Sequence, residues 1–372
     1  MSRLALLLIL LAACPAPAPT IPTGPRAGAP HITWTRVTTP DEVPHEPPAP
    51  GTYRLHLIDV GTGLALLVQG ADFALLYDAG TNDREEKPLR VVAYLGAALG
   101  PSGDELCVPP GAPPPTTRVA IDHVVLSHPH FDHASALDLV LHCYDVHQVW
   151  DSGAINEAAF YRDFLEAVGR SKGATYHTAA SVPDDHAVRV KGFAVKLDAW
   201  QRFSEGDVVN LGEGAKFTIL HAEPKAERDL NEASVVIALQ LGGARILLVG
   251  DAESGPRKDP SYPVGDVEEF LLDHHRRELR ADILQVGHHG SKTSSRRDFL
   301  QAVQPGLALV SSGPKKYGKV TLPDPEVIDE LEHMGARVLR TDEHDDGCPT
   351  PGRIGGDDGP GGCDSWVITI GP

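Results

Sequence analysis

A chain of 372 residues with an ordinary apolar share of 41% can bury a sizeable core, as one large domain or two small ones. Its formal net charge of −18 keeps it soluble. That charge excludes a broad, sequence-independent coat of nucleic acid, while a local basic patch stays open.

Arg3 precedes the apolar run "LALLLILLAAC". The run is too short to span a bilayer but suits the core of a signal peptide. "LAAC" at 11–14 resembles the bacterial lipobox, which implies a diacylated Cys14 and an exported lipoprotein on the periplasmic or cell-surface face of a membrane. Residues 15–50 are rich in proline, which blocks helix and sheet pairing, so they read as a stiff tether. The folded domain is expected over 51–372, with a Gly/Asp-rich loop at 343–364.

Within that domain strands and helices alternate. "TYRLHLIDVG" and "ALLVQGADFALLYDAG" read as strands, the second a hairpin turning near Gly70–Asp72. "PLRVVAYLGAAL" is helical, "IDHVVLS" a strand, and "ASALDLVLHCYDV" and "EAAFYRDFLEAVGRSKG" helices. "FTILHA", "SVVIALQLGGARILLVGD" and "ADILQVG" are strands, "RRDFLQAV" a helix and "LALVSSG" a strand. The helix "DPEVIDELEHMG" and the strand "ARVLRT" follow. Such a pattern points to α/β layers with mixed sheets and helices outside. Export permits disulfides. Cys348 and Cys363 flank the Gly-rich loop and are expected to pair, and Cys107 can pair with Cys143.

"SHPHFDH" at 127–133 follows a buried-type strand. Loops at the C-terminal ends of such strands converge where α/β sites form. His128 and His130 lie two apart and can face one way, and Asp132 and His133 follow as the next helix opens. One loop can therefore serve two neighbouring ions, and imidazole with carboxylate suits Zn, with Mn or Fe as substitutes.

The pattern His128-x-His130-x-Asp132-His133 resembles the signature of the metallo-β-lactamase superfamily. "DVGTG", "LLYDAG", "NEASVV", "LLVGD" and "VGHHGSKTSS" together resemble the hydrolase domain of the ComEC DNA-uptake family, over roughly residues 52–345. The resemblance implies a four-layer αββα sandwich with two divalent ions at one edge and hydrolysis by a metal-bound hydroxide. It gives His128 and His130 to the first ion and Asp132 and His133 to the second, with Asp251 bridging. His288 completes the second, with His289 as rival ligand or transition-state donor. Asp132 and His289 carry the catalytic roles. Asp59 is expected to orient ligand histidines. Asn231 stands where many members place a further histidine, with His221 a possible substitute.

Two classes of function follow. The first is a lipid-anchored metallo-hydrolase acting on a phosphodiester, either a small molecule or nucleic acid. Lactone, ester or β-lactam hydrolysis is the enzyme alternative, and a tethered binding module with a relic site is the non-enzyme one. No protein partner is legible. For the phosphodiester reading, Lys292, Arg296, Arg297, Lys315, Lys316 and Lys319 are expected to rim the metal edge. Ser291 and the backbone after Gly290 are expected to donate to a phosphate oxygen at a helix start.

Overall fold

The computed structural model describes residues 30–82, 90–226, 229–313, 315–343 and 365–372. Among them, nine strands form one sheet, in the order His31–Val37, Ser365–Gly371, Tyr53–Leu57, Gly63–Gln69, Ala74–Thr81, Ala120–Leu126, Asp145–Asp151, Thr175–Thr178 and Trp200–Arg202. Seven form a second: Val208–Gly212, Ala215–His221, Val236–Leu241, Ala244–Leu248, Ile283–Gln285, Leu307–Val310 and Arg337–Arg340.

The layers follow from alternation. On the strand Gly63–Gln69, Leu66 points between the sheets, into the core shared with Ile219, Ile237 and Leu309. Its neighbour Leu67 points outward, to the core shared with Val92, Leu137 and Phe164 of the helices Arg90–Leu99, Leu137–Cys143 and Ala159–Arg170. The second sheet repeats this. Leu247 and Leu284 face the helices Asp266–His274, Arg297–Val303 and Pro325–His333 through Leu271, Phe299 and Leu331. Strands buried on both faces need apolar residues at every position, which explains the continuous runs in the sequence. The result is an αββα sandwich, as expected.

Inside each sheet a parallel block aligns C-terminal ends. Ala74–Thr81, Ala120–Leu126, Asp145–Asp151 and Thr175–Thr178 are parallel neighbours. So are Ala244–Leu248, Ile283–Gln285, Leu307–Val310 and Arg337–Arg340. Both blocks deliver their following loops to one edge of the sandwich, where the Val235 N–H donates to the Ser127 carbonyl at 2.7 Å.

One expectation changes and another is met. The sheet begins before residue 51, because His31–Val37 pairs antiparallel with Ser365–Gly371. Those seven residues contain no proline, and a β-rich "HITWTRV" between prolines can dock as an edge strand. The Cys107–Cys143 bridge forms. It ties the loop after the helix Arg90–Leu99 to the end of the helix Leu137–Cys143. Cys14, Cys348, Cys363 and most of the Gly/Asp-rich loop lie outside the described residues.

In the chain-entropy account, closing a loop of this size stabilises by about 3–4 kcal/mol. Cys107→Ser is accordingly expected to lower unfolding free energy by about 2–4 kcal/mol in urea denaturation. Peptide mapping without reductant should recover the 107–143 cross-link.

Candidate metal centre

The loop 127–133 crosses the end of the strand Ala120–Leu126 and enters a short helix, Phe131–Ala134. It lies directly on the backbone of the neighbouring strands. A Cβ at Gly80 would stand 2.5 Å from both the Asp132 carbonyl carbon and the His133 nitrogen. One at Gly63 would stand 2.8 Å from the Asp132 oxygen. The glycines of "DVGTG" and "LLYDAG" are therefore clearance for the histidine loop.

The donor atoms gather around Asp251, which follows the buried strand Ala244–Leu248. His133 Nε2 lies 3.2 Å from Asp251 Oδ1, and His128 Nε2 lies 4.0 Å from Oδ2. His289 Nε2 is 3.6 Å and His288 Nε2 3.8 Å from the same Oδ2. His130 Nδ1 sits 2.9 Å from His128 Nε2, and His130 Nε2 faces Asp229 at 3.7 Å. Asp132 Oδ2 is 3.8 Å from His289 Nε2. Two sets can each hold an ion: His128, His133 and Asp251; and Asp132, His133 and His289.

Electrostatics is dominated by one buried chain. Asp78 Oδ2 lies 2.8 Å from His133 Nδ1, and the same carboxylate accepts from Ser127 N and Ser127 Oγ at 2.6 Å each. Burial opposes charge on His133, but the Asp251 and Asp78 carboxylates hold its imidazole well above the ordinary range. Asp251, also buried, is held well below the usual carboxylate range by His133, His289 and His288. Burial, aided by His133, pushes His128 well down, so its imidazole is neutral and ready to ligate.

Three atoms at the centre are buried without a hydrogen-bond partner: His133 Nε2, His289 Nε2 and Asp251 Oδ1. Buried polar atoms of this kind need a partner, and three converging donors of lone pairs fit a divalent cation. The residues present therefore fit a metal site.

The model of the metallo-beta-lactamase superfamily matches residues 58–313. The chain belongs to that superfamily. Among curated proteins it is 26% identical to the uncharacterized protein YcaI of Escherichia coli over 295 residues, covering 79% of this chain and 29% of the relative. It is 32% identical to ComE operon protein 3 of Bacillus subtilis over 158 residues, 42% of this chain and 18% of the relative. Recombination protein 2 of Haemophilus influenzae matches at 26% over 292 residues, 78% and 28%. The chain thus spans less than a third of the length of these relatives. A solved metallo-beta-lactamase fold protein, YhfI of Bacillus subtilis, aligns at a TM-score of 0.40 and 12% identity, over 77% of this chain and 95% of that one.

Of the expected ligands, His128, Asp132, His133 and Asp251 fall in the two donor sets and His130 in neither, and three adjustments follow. The carboxylate that orients His133 is Asp78, while Asp59 accepts from the Gly61 N–H at 2.9 Å and shapes the "DVGTG" turn. His289, not His288, joins Asp132 and His133 in a donor set. His288 falls in neither set, although its Nε2 lies 3.8 Å from Asp251; its Nδ1 contacts Glu253 and Thr293 at 2.8 Å each. Both histidines have left-handed backbones (φ 48° and 54°), which is strain typical of functional turns. His221 is structural: its Nδ1 lies 2.8 Å from the Ser234 carbonyl oxygen. Asn231 is buried beside this region in the turn Leu230–Ala233, with its Oδ1 unpartnered.

The third adjustment concerns the anion site expected after Gly290. Its backbone donors are taken by the protein itself. Ser291 N donates to the His288 carbonyl, Lys292 N to Asp324 and Thr293 N to Ser291 Oγ, while Ser295 N and Arg296 N donate to Glu268. Two buried carboxylates, Asp324 and Glu268, occupy the place an anion would take. Ser291 Oγ accepts from Arg257, and the Lys292 ammonium pairs with Glu326 at 2.6 Å. Arg297 pairs with Glu330, and Arg296 is buried on the carbonyls of Lys258, Asp259 and Lys292. These cations brace the loop.

Sequence reasoning did not anticipate Asn82 and Tyr317. Asn82 Nδ2 donates to Asp132 Oδ2 at 2.6 Å, and the Tyr317 hydroxyl donates to the same oxygen at 3.1 Å. Tyr317 stands in the "YGKV" segment, a visible signal, whereas nothing local marks Asn82.

The clearance argument has a paired test. Gly80→Ala pushes a Cβ into backbone that cannot step aside, so metal affinity by chelator competition is expected to fall by about tenfold or more. Gly96→Ala, in the open middle of the helix Arg90–Leu99, meets nothing within 4 Å. It should leave affinity unchanged and raise stability by about 0.5–1 kcal/mol.

Proposed function

We propose that the protein is a metal-dependent phosphodiesterase, held to a membrane through a lipidated Cys14, with nucleic acid its natural class of substrate. Membership of a metallo-hydrolase superfamily supports the hydrolytic part. The observation that carries the choice of substrate is the hairpin Lys316–Tyr317/Val320–Thr321. Tyr317 reaches Asp132, so this hairpin lies at the rim of the centre. It carries Lys316 and Lys319, and Lys315 Nζ stands 5.2 Å from the Tyr317 ring centre. None of the three lysines forms an ion pair with a described residue. In a chain of net charge −18, a cationic flap beside the donor sets favours an anionic substrate and draws it in. The relative named recombination protein 2 is consistent with a nucleic-acid diester.

When bound, two divalent ions would supply acidified water and polarise a phosphoryl oxygen. His128, His130, His133, Asp132, Asp251 and His289 would hold them. Asp78 fixes the tautomer of His133 by taking its Nδ1 proton in a hydrogen bond, leaving Nε2 free to ligate. Asn82 and Tyr317 fix the orientation of Asp132. Both are donors, so they also oppose its protonation. Tyr317 is neutral because burial and then Asp132 raise its phenol, and its one proton is held on Asp132. Lys315, Lys316 and Lys319 would meet the non-bridging oxygens and flanking phosphates.

The test is kcat/KM for a phosphodiester and a neutral ester across a salt series, on protein purified without chelator. The diester should be preferred and its rate should fall with salt. Replacing Lys315, Lys316 and Lys319 with Gln should flatten that slope. Asp251→Ala should lose several kcal/mol of barrier lowering, on the order of 10³-fold in rate. Preference for the neutral ester overturns the reading.

The anchor is tested separately. Mass spectrometry of the native N-terminus should find a diacylated Cys14; an unmodified terminus elsewhere excludes the anchor.

A further inference from the structure

The second sheet carries a pocket on its outer face, at the end away from the metal loops. Asp251 follows the C-terminal end of Ala244–Leu248, whereas Arg245 lies at the start of that strand. Lys216, Gln240 and Arg245 stand side by side across three antiparallel strands, and Thr218, Ala238 and Leu247 form the next row. Leu247, Val236 and Leu220 point outward to the helices, so by alternation both rows face outward too. Thr218 and Ala238 are short. The helix Asp266–His274 does not cover the Lys216–Gln240–Arg245 row, and the segment 277–281 walls it instead. A cavity of about 300 Å³ results, which is the lower end of small-molecule sites.

Its rim inverts the composition of the chain. The whole protein has 51 acidic residues against 33 Lys and Arg. The pocket has Lys216, Arg245, Arg277 and Arg280 against Glu278. Arg280 donates to the carbonyls of Val303 and Gln304, which fixes it as part of the wall. The side chains of Lys216, Arg245 and Arg277 form no ion pair with a described residue. The nearby Asp282 carboxylate is engaged by the Arg245 backbone N–H at 2.9 Å. Each cation alone is ordinary surface charge. Three unpaired ones converging on one concavity repel each other and are relieved by an anion. Guanidinium forks match phosphate oxygens in pairs.

We propose that this pocket is a second, metal-independent site for a phosphate-bearing anion, separate from the hydrolytic centre. The group could come from a soluble phosphate ester or from a phospholipid headgroup, and the same chemistry recognises both.

Calorimetry with inorganic pyrophosphate on the full chain, as purified with its metals, tests this beside co-sedimentation with phosphatidylcholine vesicles with and without phosphatidylglycerol. The comparison is the double variant Arg245→Gln/Arg277→Gln. Both residues are exposed, so its thermal melt should match the wild type. The wild type should bind one more equivalent of pyrophosphate than the variant, or bind anionic vesicles about tenfold more tightly than the variant does. Turnover at the metal centre should be equal in the two. Loss of pyrophosphate binding assigns a soluble ester, and loss confined to vesicles assigns a headgroup. The proposal is overturned if neither probe distinguishes variant from wild type.

Discussion

The chain Asp78–His133–Asp251 is the interaction on which the rest of the molecule depends. Asp78 belongs to the first sheet and Asp251 follows a strand of the second, and His133 bridges them at 2.8 and 3.2 Å. Burying two carboxylates costs several kcal/mol each unless partners replace water. Ser127 supplies two hydrogen bonds to Asp78, and the histidines around Asp251 supply the compensating charge. The two halves of the sandwich are thus joined by charge at the edge where the metal donors lie. The orphaned atoms along this chain are the ligating ones, so folding and metal affinity rest on the same few contacts.

Sterics set the second constraint. The histidine loop reaches the bridge because Gly63 and Gly80 let it lie on strand backbone. On the opposite side, the "GHHGSKTSS" turn is held by buried carboxylates and by Arg296 stacked among carbonyls, not by substrate. Burial raises the Glu268 carboxyl to about 7, although it accepts two backbone N–H groups there. The turn's backbone donors are thus met by carboxyl groups of the protein itself.

Much of this was legible in sequence, for identifiable reasons. Runs such as "HVVLS" and "ILLVG" are apolar because both faces are buried, and the metal cluster sits at the end of one of them. The helices with clear apolar stripes were found. What escaped depends on context. "HITWTRV" is mostly exposed, so no pattern of burial marks it. The choice between Asp59 and Asp78, or His288 and His289, turns on loop direction, and the left-handed backbones of the two histidines are invisible in their identities. Arg296 reads as a rim cation but is fully buried, with its two terminal nitrogens on backbone carbonyls and its Nε without a partner. Lys292 and Arg297 read as a rim for ligand, but acids from the helix Pro325–His333 reach them first.

The pairing of Ser365–Gly371 has a consequence for how the molecule comes into being. That strand lies between His31–Val37 and Tyr53–Leu57 and hydrogen-bonds to both. His31–Val37 and Tyr53–Leu57 therefore have no shared neighbour until residue 371 is made. One margin of the sheet must wait for Ser365–Gly371, and contacts of such long sequence separation form slowly. Removing the final strand would leave two unpaired edges rather than one short end, an opening through which neighbouring copies could pair.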